Sequence, residues 1–248
     1  MNHSLGDGYP PVNHGRRCTV DNFWAPLRDL LVPARCQFCD TPCATGSLCP
    51  ACRDSLPWNT QACPRCARPQ GHADTCAGCV ERPPAFDLAF AALRWESPVR
   101  EAIHQLKYEA RLHQASAFGR LLGEAVLERG LPLPALLLPV PLHAGRLRRR
   151  GYNQALELAR SVATITGQAI CAGAARRIRA TPDQIGMSAA RRRRNLRGAF
   201  VAADRLRGQR VALLDDVMTT GATLGALAQA CRRAGAIEVQ AWALARVP

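Results

Sequence analysis

Apolar and polar positions change rhythm along the chain, and the change divides it. Up to about residue 20 there is no apolar periodicity, only polar residues with Gly and Pro. Asp21–Leu31 carries enough apolar residues for one or two helical turns. From Pro33 to Pro84 long apolar runs are missing, and Cys and Pro dominate. Beyond Pro84 the rhythm becomes that of a folded domain. Phe86–Trp95 reads as a strand, and Ser97-Pro98 opens a helix that runs to about Tyr108. A second helix covers about Leu112 to Arg129, closed by Gly130. Leu136–Pro141 is a short apolar strand between prolines, and Asn153–Ile165 has helical spacing ending at Gly167. Arg210–Asp216 is a strand, Thr223–Ala234 a helix closed by Gly235, and Glu238–Leu244 a last strand. Short apolar strands alternating with helices predict an α/β fold with a mostly parallel sheet flanked by helices.

The pattern implies three parts: an N-terminal tail over 1–31, expected to be largely disordered; a Cys-rich module over 32–83; and an α/β domain over 84–248. The Cys-rich part lacks the apolar residues for a core of its own, so something else must hold it. Cys36-x-x-Cys39 is followed by Cys49-x-x-Cys52, and Cys63-x-x-Cys66 by Cys76-x-x-Cys79. Every cysteine of the first set recurs at a spacing of 27 residues, as from Cys36 to Cys63. Two C-x-x-C knuckles give the four thiolates that structural zinc prefers, and metal binding then supplies folding free energy. Two structural zinc sites are expected; an iron–sulfur cluster or a redox dithiol is the competing use of such thiols. Consecutive pairing follows the repeat, and an interleaved pairing also satisfies the spacing. Cys43 reads as a non-ligand, Cys18, Cys171 and Cys231 as packed or incidental thiols, and His72 as a loop residue.

Charge adds a second theme. The formal net charge is +14, and Lys107 is the one lysine among 33 basic residues. Arginine's planar fork suits phosphate, although a genome that favours arginine codons would give the same composition. The N-terminus lacks the apolar stretch of a secretory signal, and no run approaches a bilayer span. A soluble, cytoplasmic protein without membrane insertion is expected.

The sharpest chemistry lies in Val211–Thr223, VALLDDVMTTGAT. An apolar strand ends in Asp215-Asp216, and a Thr/Gly turn leads into a helix. Small residues let backbone N–H groups converge on an anion at a helix N-terminus, with Thr219, Thr220 and Thr223 adding hydroxyls. The carboxylates suit diol hydroxyls or a magnesium ion. Phosphate donors beside diol acceptors fit a ribose 5-phosphate. Two arginine-rich stretches accompany it. LHAGRLRRRGYNQA, residues 142–155, places His143, Arg146, Arg150, Gly151, Asn153 and Gln154 between a strand and a helix, a pyrophosphate site in physical terms. Residues 177–200 carry Gln184, Arg192 and Asn195 between the middle and last core strands.

The thirteen-residue pattern resembles the signature of type I phosphoribosyltransferases. That resemblance implies that Asp215 and Asp216 hold the ribose hydroxyls and act as catalytic residues. It implies that Thr219, Thr220, Gly221, Ala222 and Thr223 hold the 5-phosphate, the residue 142–155 loop the pyrophosphate, and residues 177–200 a lid with Arg192 facing the reaction. Thr219 stands where the 6-oxopurine members have an aspartate, which argues against hypoxanthine or guanine as acceptor. With the double zinc ribbon and Leu106-Lys107-Tyr108, the motifs resemble the ComF family over about residues 33 to 246. The resemblance implies a phosphoribosyltransferase using phosphoribosyl pyrophosphate and magnesium, a part in DNA uptake or use, and a helicase-like competence protein as partner. The competing reading from charge and zinc ribbons is a non-catalytic assembly factor that binds single-stranded DNA or a protein partner.

Overall fold

The computed structural model describes residues 35–43, 48–108, 112–180 and 194–248. The expected helical turns in Asp21–Leu31, the tail, and Gln184 and Arg192 lie outside the described residues. Packing divides the chain into two compact units with the boundary after Cys49.

In the first unit, Arg35 and Pro42 bridge antiparallel across a tight turn. The Cys36 amide donates to the Thr41 carbonyl at 2.9 Å, and Asp40 takes a positive φ of 57°. The larger unit contains the same knuckle 27 residues on. Ala62 bridges Pro69, the Cys63 amide donates to the Arg68 carbonyl at 3.0 Å, and Ala67 has φ 55°. The short helices α1 (Pro50–Asp54) and α2 (Ala77–Glu81) also stand at equivalent positions. The duplication is therefore structural as well as sequential.

The α/β part is a parallel sheet in the order β1-β7-β6-β2-β3. Its strands are β1 (Leu88–Arg94), β2 (Leu136–Pro139), β3 (Ala169–Ile170), β6 (Arg210–Met218) and β7 (Glu238–Arg246). A separate antiparallel pair joins β4 (Ala175–Arg177) to β5 (Phe200–Ala202). Neither β3 nor the β4–β5 pair is predicted from the sequence, because two or three residues carry no readable period. β6 and β7 are central and buried on both faces, so they read as apolar runs rather than alternations. β6 continues to Met218, so Asp215 and Asp216 lie within the strand rather than at its end.

Helices α3 (Val99–Tyr108), α4 (Leu112–Glu128) and α6 (Gln154–Thr166) match the predicted segments to within a residue or two. Asn153 caps α6, with its Oδ1 accepting from the Ala155 amide at 3.1 Å, and left-handed Gly167 ends it. α4 and α6 pack closely at Gly119, where a Cβ would stand 2.6 Å from the Leu158 carbonyl oxygen. Helix α7 (Ala222–Arg233) lays Leu224, Leu227 and Cys231 on Leu213, Val239 and Phe86.

β1 is an edge strand, and its outer side is covered by the chain that follows the first knuckle. The Asn59 amide donates to the Ala92 carbonyl, the Arg94 amide to Pro57, and the Ala89 amide to Pro64. An open parallel edge would otherwise offer those groups to another chain. Arg53 reinforces this cover: it pairs with Glu124 and Glu128 of α4 and stacks over Trp58, 5.5 Å from the ring centroid. No helix among the described residues is long and apolar enough to cross a membrane.

Candidate functional site

The cysteines fall into two groups, Cys36, Cys39, Cys49 and Cys52, and Cys63, Cys66, Cys76 and Cys79. Within each group the sulfurs all lie within 4.8 Å of one another. Cys39 and Cys49 sulfurs are 3.6 Å apart, and Cys66 and Cys76 sulfurs 3.7 Å apart. A tetrahedral zinc ion with its ordinary bond lengths holds sulfurs about 3.8 Å from each other. The donor set and its dimensions therefore fit zinc, and the pairing is consecutive. Burial opposes ionisation of Cys63, but amides of Cys76, Arg65 and Cys66 outweigh it and lower the thiol to about 7. Cys43 is buried and is not in either group. Cys171 and Cys231 also stand apart from both groups, and Cys231 packs in the core. His72 is exposed beside Asp74, as a loop residue.

At the centre of the sheet, β6 presents the acidic pair. Asp216 is buried, and its Oδ2 stands 3.0 Å from the Nζ of Lys107 on α3. The pair is ionic rather than a well-aligned hydrogen bond, so this oxygen still has no hydrogen-bond donor among the described residues. Asp215 Oδ1 accepts from the Asp216 amide at 2.9 Å. Burial first, and then the neighbouring Asp216 charge, push Asp215 up to about 7, while Lys107 pulls the other way. Two adjacent carboxylates sharing one ammonium are what one expects of a group that awaits a further hydroxyl or cation.

The strand then turns. Thr219 and Thr220 are exposed, and Gly221 takes φ 72° as the cap of α7, a conformation that disfavours a side chain. Thr220 Oγ1 accepts from the Ala222 amide at 3.4 Å. The outside of this turn is held by Arg246 at the end of β7, which is only 2% exposed. Its guanidinium donates to the carbonyls of Met218 (3.2 Å), Thr219 and Val247, and its Nε to the Cys66 carbonyl at 2.9 Å. Carbonyls drawn outward to Arg246 are carbonyls kept off an anion. The same side chain ties the Thr/Gly turn to a cysteine of the second knuckle.

The basic stretch after β2 differs from its expected form. It is not an open loop: Ala144–Arg150 is a short helix, α5, capped by His143 and ended by left-handed Gly151. His143 Nδ1 accepts from the Gly145 amide at 3.2 Å. Arg146 and Arg150 are half-buried, whereas Arg148 and Arg149 are exposed. Asn153 Nδ2 donates to the Val140 carbonyl at 3.0 Å, and Gln154 is buried with an unpartnered Oε1. Tyr152 donates to the Leu106 carbonyl. It also lies within electrostatic reach of Arg150 and Asp216; burial is the main cause that raises its pKa. Tyr152 and Lys107 thus bring α3, the basic segment and the acidic pair together. Thr223 is half-buried at the start of α7, and Asn195 is half-buried in the segment before β5. Lys107, Tyr152 and Arg246 are absent from the predicted site. A lysine alone among arginines was a signal for Lys107; nothing local marks Arg246.

The parallel sheet order, the acidic pair on a central strand, the Thr/Gly turn into α7 and the paired tetrathiolate knuckles define a class: a double zinc ribbon joined to a phosphoribosyltransferase type I fold. Residues 27–80 match the double zinc ribbon domain. The chain is 36% identical over 224 residues to the DNA utilization protein YhgH of Salmonella typhi, covering 88% of this chain and 99% of that protein. The corresponding protein of Escherichia coli K12 is also 36% identical over 224 residues. Competence protein F of Haemophilus influenzae is 32% identical over 222 residues, 86% of this chain and 96% of that one. The chain belongs to the ComF family. Among solved structures it is similar to the glutamine phosphoribosylpyrophosphate amidotransferase of B. subtilis (TM-score 0.38, 22% identity, 53% of this chain and 26% of that one). It is also similar to a purine phosphoribosyltransferase from Pyrococcus horikoshii (TM-score 0.33, 16% identity, 52% and 80%).

Proposed function

We propose that the protein binds phosphoribosyl pyrophosphate with magnesium and acts as a phosphoribosyltransferase in the uptake or use of DNA. The observation that carries the reading is the Asp215–Asp216 pair beside Lys107, followed at once by the Thr219–Thr223 turn at the N-terminus of α7. In this reading Thr219, Thr220 and Thr223 hydroxyls and the Gly221 and Ala222 amides hold the 5-phosphate. Asp215 and Asp216 accept from the ribose 2- and 3-hydroxyls, and Oδ2 of Asp216, ion-paired with Lys107 but without a hydrogen-bond donor among the described residues, has the capacity to do so. His143, Arg146, Arg150, Gly151, Asn153 and Gln154 border the pyrophosphate, with Gln184, Arg192 and Asn195 supplying the closing segment. The bond from ribose C1 to the pyrophosphate oxygen breaks as the acceptor attacks C1. Arginines around the leaving group stabilise its growing charge. Magnesium, when bound, would neutralise diphosphate charge at the carboxylate side.

Isothermal titration of the zinc-loaded chain with phosphoribosyl pyrophosphate and magnesium tests the reading. Binding that is lost in Asp215→Asn/Asp216→Asn supports it, and absence of binding to the wild-type chain sinks it. We place the protein in the cytoplasm, with a helicase-like competence protein as partner. The relatives' names, DNA utilization protein and competence protein, support the DNA setting.

The net charge of +14 favours a second reading, a non-catalytic factor that grips single-stranded DNA. DNA affinity that falls steeply with salt and survives Asp215→Asn/Asp216→Asn, without phosphoribosyl pyrophosphate binding, selects it.

A further inference from the structure

A cavity of about 860 Å³ lies beside the Thr/Gly turn, between the second cysteine knuckle and helix α7. Asp215, Asp216, Lys107, His143 and Tyr152 take no part in its lining, so it adjoins the acidic site without being part of it. Its volume is that of a small-molecule pocket rather than of a groove for an extended strand.

The lining has two characters. Arg68, Arg82, Arg194, Arg197 and Arg246 face it, against a single carboxylate, Glu81. Among the described residues none of Arg68, Arg82, Arg194 and Arg197 is paired with a carboxylate. A zinc tetrathiolate at the knuckle carries a net charge of about −2, which the five guanidiniums still exceed. Such a balance calls for an anion, and the guanidinium fork is built for phosphate. A second part of the lining is apolar. It is formed by Pro83, Pro84 and Ala85 and by the small residues Ala222, Gly225 and Ala226 on one face of α7. A Cβ built on Gly225 meets nothing within 4 Å, so that face is open to a planar group. Gln229, one turn further along the face, offers an amide for the edge of a base.

We propose that this cavity is a second nucleotide site. It takes a free nucleoside mono- or diphosphate, its phosphate on Arg82, Arg194 and Arg197 and its base between the Pro83–Ala85 wall and the Ala222–Ala226 face. The site stands whether or not the acidic pair binds ribose phosphate. Because Thr220, Gly221 and Ala222 border both places, occupancy of one bears on the shape of the other.

The test is calorimetry on the zinc-loaded full chain with ADP, beside inorganic phosphate and a single-stranded oligonucleotide. Two variants report on the cavity. Gly225→Leu fills it from a position with free space, and at a helix-interior glycine it also favours the helix, so folding is not at risk. Arg82→Ser removes an exposed, unpaired cation. One ADP is expected per chain, weakened at least tenfold by either variant and retained in Asp215→Asn/Asp216→Asn. The proposal is overturned if wild type takes no ADP, or if phosphate alone binds as tightly as ADP. It is equally overturned if the oligonucleotide binds but ADP does not, or if the double aspartate variant abolishes ADP binding while Gly225→Leu leaves it unchanged.

Discussion

Lys107 Nζ lies 3.0 Å from Asp216 Oδ2, which joins the only lysine of the chain to the second carboxylate of its acidic pair. Removing one partner of a largely buried ion pair leaves the other charge uncompensated. Lys107→Met should lower stability by about 2 kcal/mol, less than for a fully buried pair because the lysine is 24% exposed. In a double-mutant cycle by urea unfolding, the same substitution in an Asp216→Asn background should cost much less. Equal costs in both backgrounds would show that the pair carries no coupling.

Asp215 is the other half of the arrangement. Its folded-state pKa, about 7, lies above the ordinary 3.8, so the folded chain holds a proton that the unfolded chain has released. The sign follows: the stabilisation is present below pH 3.8 and is lost as pH rises to 7. Asp215→Asn should therefore stabilise the ligand-free chain more at pH 8 than at pH 5, by on the order of 2 kcal/mol after allowance for partial exposure. Thermal melts at the two pH values check it; a gain that does not grow with pH contradicts it. Affinity for phosphoribosyl pyrophosphate should also rise as pH passes through 7, because the acceptor form of Asp215 is the charged one.

Arg246 is 2% exposed and donates to four backbone carbonyls. Arg246→Met should leave the Cys66, Met218 and Thr219 carbonyls without their donor and cost about 3 kcal/mol. Hydrogen exchange should quicken at residues 217–223 while zinc content stays unchanged. Unaltered exchange there would mean that the turn holds its shape without this brace.

Helix glycines of the chain should respond in opposite directions. Gly119→Ala drives a Cβ to 2.6 Å from the Leu158 carbonyl oxygen and should lower stability by about 2 kcal/mol by prising α4 from α6. Gly225→Ala meets nothing and should raise it by about 1 kcal/mol. Paired chemical unfolding curves decide the comparison.

Metal content should be two zinc ions per chain by colorimetric titration after thiol release. Cys43→Ser should leave two, and Cys36→Ser should leave one. Four thiols that retained no metal in either knuckle would remove zinc from the account.

What the sequence discloses is what it encodes locally. The knuckle repeat from Cys36 to Cys63, the Asn153 cap, the Gly167 stop and the Asp-Asp-to-Thr/Gly turn each sit within a short window of chain. The hidden parts are relations between distant residues. Arg246 meets Cys66 and Lys107 meets Asp216 only once the sheet has formed, and neither arginine nor lysine announces its partner. Helix α5 escaped because its run of arginines has no apolar stripe to show a period. β6 runs two residues past the expected end at Asp216, because Val217 and Met218 are apolar and continue the strand up to the Thr/Gly turn.

The β1–β7 pairing, Leu88 against Gln240 through Arg94 against Arg246, sets an order of assembly. On the ribosome β1 is made early and its sheet partner late, since synthesis proceeds at about 5–20 residues per second and the intervening chain must come first. In that interval the Pro57–Pro64 stretch that covers the outer edge of β1 is already made. A metal-held module made first therefore works as a splint for the nascent sheet. Starvation for zinc should then show itself in newly made chains, which would clump through a bare strand, before it shows in chains already folded.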